Sequence, residues 1–222
     1  MALIGLFLTV LLTFFPPTTT ENIPWRKPLI GSIFGSICTL GCLAVFSPTQ
    51  CSKIFNKKKK IDAKLDQLLS HCKSSSMQGH HPNCGKFTAH TFQIKSKISC
   101  AACVGLLLGG LIALAGTFGY FFGNWHVTEH SSLLVLVGVL GVGFGLLQHK
   151  FRGLTRLSMN TFFVLGTFFI LIGIDEMVHS LKVDLFVVSL IVFWLYTRIS
   201  ISQWDHETIC SDCNVVDCEW MK

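Results

Sequence analysis

A cysteine- and histidine-rich segment, HHPNCGKFTAHTFQIKSKISCAAC (His80–Cys103), leads directly into an apolar, glycine-rich run, VGLLLGGLIALAGTFGYFF (Val104–Phe122). As a helix, this run is long enough to cross the roughly 30 Å of hydrocarbon in a bilayer. Thiolate and imidazole groups are the ligands that soft and borderline metal ions prefer. The sequence therefore predicts candidate metal ligands at the mouth of a membrane helix.

The composition of the whole chain is that of an integral membrane protein. Half of the residues are hydrophobic, only 14% are charged, and the mean hydropathy is +0.56. Five separate apolar runs each have about the length that a bilayer requires. The predicted fold class is all-α: a polytopic helical bundle of five full spans plus a short N-terminal apolar helix. The predicted spans, in chain order, are Leu29–Ser47, Ala101–Phe122, Leu133–Gln148, Thr161–Met177 and Leu181–Tyr196.

The apolar run at the start of the chain, Leu3–Phe15, is shorter than a full span and ends at Pro16–Pro17. It lacks a positively charged start and a clear small-residue cleavage site, which a secretory signal would have. A retained short span or interfacial helix is therefore favoured over a cleaved signal peptide. Residues 1–47 are predicted to form a unit of this helix and the first span.

The distribution of lysine and arginine predicts the orientation of the spans. Residues 48–100 contain ten lysines, and the connection 149–160 and the segment 198–222 contribute five more basic residues, so that 15 of 18 share one side when the spans alternate. The positive-inside rule places these three segments in the cytoplasm. The net charge of +6 is thus explained by topology and by attraction to the lipid bilayer, and no nucleic-acid partner is expected.

Composition also divides the rest of the chain. Residues 48–100 are predicted to be a cytoplasmic unit in which a lysine-rich amphipathic helix, 54–69, lies on the membrane surface ahead of the Cys/His loop. Residues 101–197 are predicted to be a four-span bundle, and residues 198–222 a cytoplasmic cysteine-rich tail.

Glycine pairs spaced four apart, such as Gly105/Gly109 and Gly141/Gly145, predict close helix packing. The scarcity of charged residues inside the spans disfavours a transporter.

The ten cysteines are the strongest indication in the sequence of a metal or thiol site. Two C-x2-C pairs, one at the mouth of the second span and one in the tail, face the same predicted reducing compartment, where structural disulfides are disfavoured. A C-x2-C turn lets two thiolates reach one tetrahedral zinc ion. Unligated or redox-active thiols, and an inverted topology with disulfides, remain alternatives. The predicted zinc ligands are drawn from Cys84, His90, Cys100, Cys103, Cys210, Cys213 and Cys218.

This part of the chain also resembles a known family. Cys84 ahead of His90, followed by CAACVG (100–105) at the start of a glycine-rich span, is similar to an uncharacterised family of small prokaryotic membrane proteins marked by C-H-Q and then C-A-R-C-x-G at a helix mouth. Asp175 is similar to an aspartate near the end of a later span in that family. Ala102 stands in place of the family's arginine, and Cys84 is followed by Gly-Lys instead of His-Gln. The resemblance covers Cys84–Asp175 and implies a multi-span fold with a metal site at the helix mouth.

A second group of candidate ligands is predicted on the opposite, extracytoplasmic side, in the two turns that follow the second and fourth spans. Imidazoles and carboxylates in adjacent short turns would suit zinc or copper, with an open position for water. In the alternative interpretation the loops are simply polar, and the two carboxylates face the bundle and hydrogen-bond to neighbouring helices. The candidate residues are His126, His130, Asp175, Glu176 and His179.

Two hypotheses of function follow. The first is a non-enzymatic accessory or structural subunit of a membrane complex, with cytosolic segments that fold around a metal and face a partner. The second is a membrane enzyme, either a metal-dependent hydrolase using the outer His/Asp/Glu group or a thiol oxidoreductase using Cys100/Cys103. The first is favoured because the sequence contains no nucleophile elbow, zincin helix, phosphate loop or dinucleotide fingerprint.

Overall fold

The computed structural model describes residues 2–17, 23–46, 87–94, 97–123 and 125–211. The predicted amphipathic helix 54–69 and the candidate ligands Cys84, Cys213 and Cys218 lie outside these ranges. Within them the chain forms six α-helices, and the predicted all-α class is confirmed. The helices are α1 (Ala2–Phe14), α2 (Arg26–Phe46), α3 (Ala101–Thr117), α4 (Ser131–Leu146), α5 (Gly153–Val178) and α6 (Leu181–Ser211).

Among the residues that the structure describes, five helical segments are long and apolar enough to cross a membrane, so the chain is an integral membrane protein. A π-helical turn, Phe118–Phe122, extends α3, and a 3-10 turn, Thr128–His130, precedes α4. In lipid only a helix satisfies the backbone of a lone segment, because no water is present to bond with it. The spans are Arg26–Phe46, Ala101–Phe122, Thr128–Leu146, Gly153–Val178 and Leu181–Ile209.

The second span has its predicted bounds, and the largest differences from prediction concern the last two helices, which are longer than the predicted spans. α5 begins at Gly153, eight residues before the predicted Thr161. α6 continues to Ser211, so residues 198–211, predicted to begin a separate tail, are helical. Two features explain the extension of α6. The segment contains neither Pro nor Gly, and Arg198 finds hydrogen-bond partners inside the bundle.

Helix α5 is the central element of the bundle. It packs most extensively on α4 and α3 and also contacts α6 and α1, while α2 packs mainly on α3. The middle of the bundle is apolar, with Ile170 and Leu171 of α5 and Trp194 of α6 fully buried. Burial of this apolar core separates the polar groups at one end of α5 from those at the other.

Glycines allow the close approach of α4 and α5. A Cβ atom added to Gly138 would lie 2.6 Å from the carbonyl oxygen of Gly166, and one added to Gly166 would lie 2.6 Å from that of Gly138. No real side chain fits at that distance, so the two backbones touch directly at this crossing. The predicted role of glycines in close packing is therefore confirmed here.

The short helix α1 packs into the bundle against α4 and α6. The indole nitrogen of Trp194 donates a hydrogen bond to the carbonyl oxygen of Ala2 (3.1 Å). Two threonines on the buried face of α1, Thr9 and Thr13, satisfy their hydroxyls by bonding to backbone carbonyls one turn earlier. These contacts give α1 a defined place beside the full spans.

A small antiparallel hairpin leads into α3. Strands β1 (Thr91–Ile94) and β2 (Lys97–Cys100) pair so that Thr91 lies opposite Cys100. Directly opposed residues in such a pair have Cα atoms about 5 Å apart. The hairpin therefore places Thr91, the residue after His90, opposite Cys100 at the start of α3.

Candidate functional site

A buried ionic cluster lies at the end of the bundle where α5 meets α6, and is called here the Asp175 cluster: Arg26, Lys27, Tyr120, Asp175, Glu176 and Asp184. Arg26, at the start of α2, donates from Nη1 to Asp175 Oδ1 (2.6 Å) and also to Asp184 Oδ2. All three side chains are almost completely buried. One guanidinium group thus joins the first residue of α2 to the end of α5 and the start of α6.

Tyr120 and Lys27 complete the pairing of the carboxylates. The hydroxyl of Tyr120 lies 2.7 Å from Asp175 Oδ2 and 2.6 Å from Glu176 Oε2. Lys27 Nζ lies 3.5 Å from Glu176 Oε2 and 4.4 Å from the centroid of the Tyr120 ring. The π-helical turn at Phe118–Phe122 carries Tyr120 to this position. Glu176 also accepts a hydrogen bond from Thr128 (2.9 Å).

The histidines predicted for the outer site do not surround these carboxylates. His126 Nδ1 lies 3.8 Å from Glu176 Oε1, so the two turns do meet as expected. The side chains of His130 and His179 are exposed. Across the described part of the chain, no three His, Cys, Asp or Glu side chains form a group suited to a metal ion. Asp175 and Glu176 instead match the alternative interpretation, in which they face the bundle and bond to neighbouring helices.

Sequence reasoning missed the cationic and phenolic partners of the carboxylates. Arg26, Lys27, Tyr120 and Asp184 are not among the predicted site residues. A signal for Asp184 was present, because a carboxylate within the first turn of an apolar span is costly unless it is paired. No local pattern in the sequence identifies which cation pairs with it.

A second polar group, the Arg198 cluster, lies at the opposite end of the bundle and consists of Gln148, Arg156, Asn160, Arg198 and Asp205. Arg198 of α6 donates to Asn160 Oδ1 of α5 (3.0 Å from Nε) and to Gln148 Oε1 (3.3 Å). Arg156 Nη2 lies 3.0 Å from Asp205 Oδ2. These bonds join the start of α5 to the C-terminal half of α6.

The segment before β1 docks on this same end of α6. The ring of Phe87 makes edge contacts with His90 and with His206, both at centroid distances of 5.4 Å. The His90 and His206 rings are 5.3 Å apart. His90 Nε2 lies 3.5 Å from Asp205 Oδ2, and the His90 side chain is buried. The loop ahead of the second span therefore contacts the extension of α6, one helical turn before Cys210.

The predicted zinc ligands in the described part of the chain are His90, Cys100, Cys103 and Cys210, and the described side chains form no group of three suited to a metal ion. Cys100 is buried at the end of β2, and Cys103 is half-buried in the first turn of α3. Cys210 belongs to the last turn of α6, one helical turn after His206. Sequence reasoning identified His90 and the cysteines, but it missed His206 and Asp205. The spacing of four residues between His206 and Cys210 was the signal that could have found His206.

Comparisons of the chain with family models, curated proteins and solved structures gave no match. The resemblance to the C-H-Q family therefore stays a prediction.

Proposed function

We propose that this chain is a non-enzymatic structural or accessory subunit of a membrane complex, in which a zinc ion fastens the loop before the second span to the C-terminal end of α6. The contact of Phe87 and His90 with His206 carries this proposal. It joins the segment ahead of Cys100 and Cys103 to the part of α6 that contains Cys210.

The residue types in these segments are those that zinc prefers. The hairpin register places Thr91, the residue after His90, opposite Cys100, and His206 lies one turn before Cys210 in α6. Structural zinc sites take four thiolate or imidazole ligands from such short local spacings. A metal that bridges the loop and α6 would stabilise their contact, since the free energy of metal binding adds to that of folding.

The polar groups of the bundle support a structural role over an enzymatic one. Asp175 and Glu176, the best candidates for outer catalysis, already hold Arg26, Tyr120 and Lys27. Such pairing fixes the positions of the helices, and the carboxylate oxygens of Asp175 and Glu176 are already bonded to these partners. Between this cluster and the Arg198 cluster, the described core is formed by side chains such as Ile170 and Leu171.

The proposed orientation follows the positive-inside rule. The Arg198 cluster, with Lys150 and Arg152 nearby in the chain, would face the cytoplasm, and the Asp175 cluster would face the opposite side. The loop before the second span and the end of α6, connected by zinc, would then form the cytosolic surface on which a partner subunit binds.

Elemental analysis of the protein purified in detergent without chelators tests the proposal. We expect about one zinc per chain, and loss of most of it in both the Cys100→Ser/Cys103→Ser and the Cys210→Ser/Cys213→Ser variants. Cys38→Ala/Cys42→Ala, which changes two buried cysteines of α2, is the matched control and should retain zinc. Wild-type protein without metal would refute the zinc proposal. If only one of the two double variants, Cys100→Ser/Cys103→Ser or Cys210→Ser/Cys213→Ser, loses zinc, the proposal that both cysteine pairs bind one ion is refuted.

A further inference from the structure

The hydroxyl group of Tyr120 makes two short contacts with carboxyl groups. Its oxygen lies 2.7 Å from Asp175 Oδ2 and 2.6 Å from Glu176 Oε2. All three residues are buried. Oxygen–oxygen distances of about 2.5–2.7 Å are those of hydrogen bonds in which one partner is charged. Each of the two contacts therefore contains a hydrogen atom.

The phenol supplies only one of these two hydrogens. A tyrosine hydroxyl has a single O–H donor, and an ionised carboxylate accepts hydrogen bonds but donates none. Lys27 Nζ is farther from the same oxygens, at 3.5 Å from Glu176 Oε2 and 3.8 Å from Asp175 Oδ2. The second hydrogen therefore comes from a carboxyl group that is itself protonated.

The charges of the Asp175 cluster are balanced by one added proton. Among the described side chains, two cations, Arg26 and Lys27, face three carboxyl groups. A buried charge without a partner is costly, because it has lost its hydration. With one proton bound, the charges of the cluster sum to zero.

Asp184 gives an observation that does not depend on Tyr120. The residue is completely buried, and its Oδ2 accepts a hydrogen bond from Arg26. Its Oδ1 is also buried and has no hydrogen-bond partner in the described part of the chain. A buried oxygen without a donor costs less in a neutral carboxyl group than in an ionised one. The surroundings of Asp184 thus also favour a cluster that retains a proton.

We propose that the Asp175 cluster is a proton-binding site, in which its three carboxyl groups and the Tyr120 hydroxyl hold one proton at neutral pH. The site lies at the opposite end of the bundle from the proposed zinc ion and does not depend on it. Because the carboxyl groups interact closely, the proton belongs to the group as a whole. Its release would leave a net negative charge buried where α2, α5 and α6 meet and would weaken their contact.

Infrared spectroscopy of the full chain provides the test, because a protonated carboxyl group has a C=O stretch separate from those of amides and carboxylates. In a maltoside detergent, which contains no carbonyl group, wild-type protein should show this band at neutral pH. At least one of the amide variants Asp175→Asn, Glu176→Gln and Asp184→Asn should remove it. Glu129→Gln, which changes an exposed glutamate in the turn before α4, is the matched control and should retain it. A wild-type spectrum without the band, or a band that all three amide variants retain, overturns the proposal.

The same proton should make stability depend on pH. Above about pH 5 the carboxyl groups of the unfolded chain are ionised, whereas the folded cluster still holds its proton. The folded state then binds one proton more than the unfolded state, so stability falls as the pH rises, by up to about tenfold in the unfolding equilibrium constant per pH unit until the proton is released. Thermal unfolding at several pH values measures this effect. The amide variant that removes the infrared band should lack it.

His126 is a second titratable group at this site, since its Nδ1 lies 3.8 Å from Glu176 Oε1. Protonation of this imidazole would also stabilise the protein at low pH, so His126→Asn is the second control and should keep the pH dependence of the wild type. If His126→Asn loses the dependence while all three amide variants keep it, the imidazole is responsible and the proposal fails. The other described titratable side chains near these helix ends are exposed: Glu129, His130, His179 and Lys182.

Discussion

Arg26 and Asp175 are 149 residues apart in the chain and form a buried hydrogen-bonded ion pair, with 2.6 Å between Nη1 and Oδ1. The same guanidinium nitrogen bonds to Asp184, 158 residues from Arg26. Helices α2, α5 and α6 thus meet at one cation. The pairing fixes how the ends of these helices are arranged on this side of the bundle.

Removal of Arg26 should strongly destabilise the protein. Arg26→Met would remove the guanidinium group that Asp175 and Asp184 share and leave Asp175 with Lys27 at 3.8 Å. Breaking a buried pair on one side typically costs about 3–5 kcal/mol. Thermal unfolding in detergent would measure the change. Lys182→Gln, which changes an exposed lysine on the same side, should have little effect. A triple variant that adds Asp175→Asn and Asp184→Asn should recover part of the loss, and the absence of recovery would contradict the charge-based explanation.

The crossing of α4 and α5 should not tolerate a methyl group. Gly166→Ala would place a Cβ against the Gly138 carbonyl oxygen and the backbone nitrogen of Val142. We expect a loss of about 1–3 kcal/mol from overpacking, measured by the same unfolding assay. Gly41→Ala on α2 is the control, because its Cβ would meet nothing within 4 Å. Equal stability of the two variants would show that the helices can separate without cost.

The turn between α5 and α6 should become more stable with glycine. His179 adopts φ +52° as the left-handed residue that ends α5, and its N–H bonds to the Asp175 carbonyl oxygen (3.2 Å). His179→Gly should raise stability by about 0.5–1 kcal/mol, since glycine has no steric penalty in this conformation. Gly153→Ala, at φ +51°, should change stability in the opposite direction. A destabilised His179→Gly variant would instead indicate a role for the imidazole.

The proposed orientation predicts which cysteines an impermeant thiol reagent reaches. In intact cells that express a variant with Cys210 as the sole cysteine, labelling should occur only after the membrane is opened, because the C-terminal end of α6 is placed in the cytoplasm. A cysteine introduced at the exposed position 130, between α3 and α4, should react in intact cells. The reverse pattern would overturn both the orientation and the argument that the thiols are kept reduced.

The amino-acid sequence alone determined the fold class and the approximate positions of all five spans. This is possible because a segment in lipid must satisfy its backbone internally, so a long apolar run has one solution, the helix. The close packing at glycines such as Gly138 was predictable for a similar reason, since a missing side chain permits backbone contact wherever the partner helix lies. The boundary of α6 was less predictable, because the helix continues past Tyr196 where Arg198 bonds to Asn160 and Gln148 of other elements.

Which polar groups are in contact depends on how the helices pack in the tertiary structure. The sequence indicated that Asp175 and Glu176 need partners, because an unpaired carboxylate in an apolar span is costly. It did not indicate that the partners are Arg26 and Tyr120, since charge attraction acts through space and leaves no periodic pattern in the chain. The contact of His90 with His206 has the same origin: hydropathy predicts their segments on one side of the membrane, and the contact of Phe87–His90 with α6 brings the two rings together.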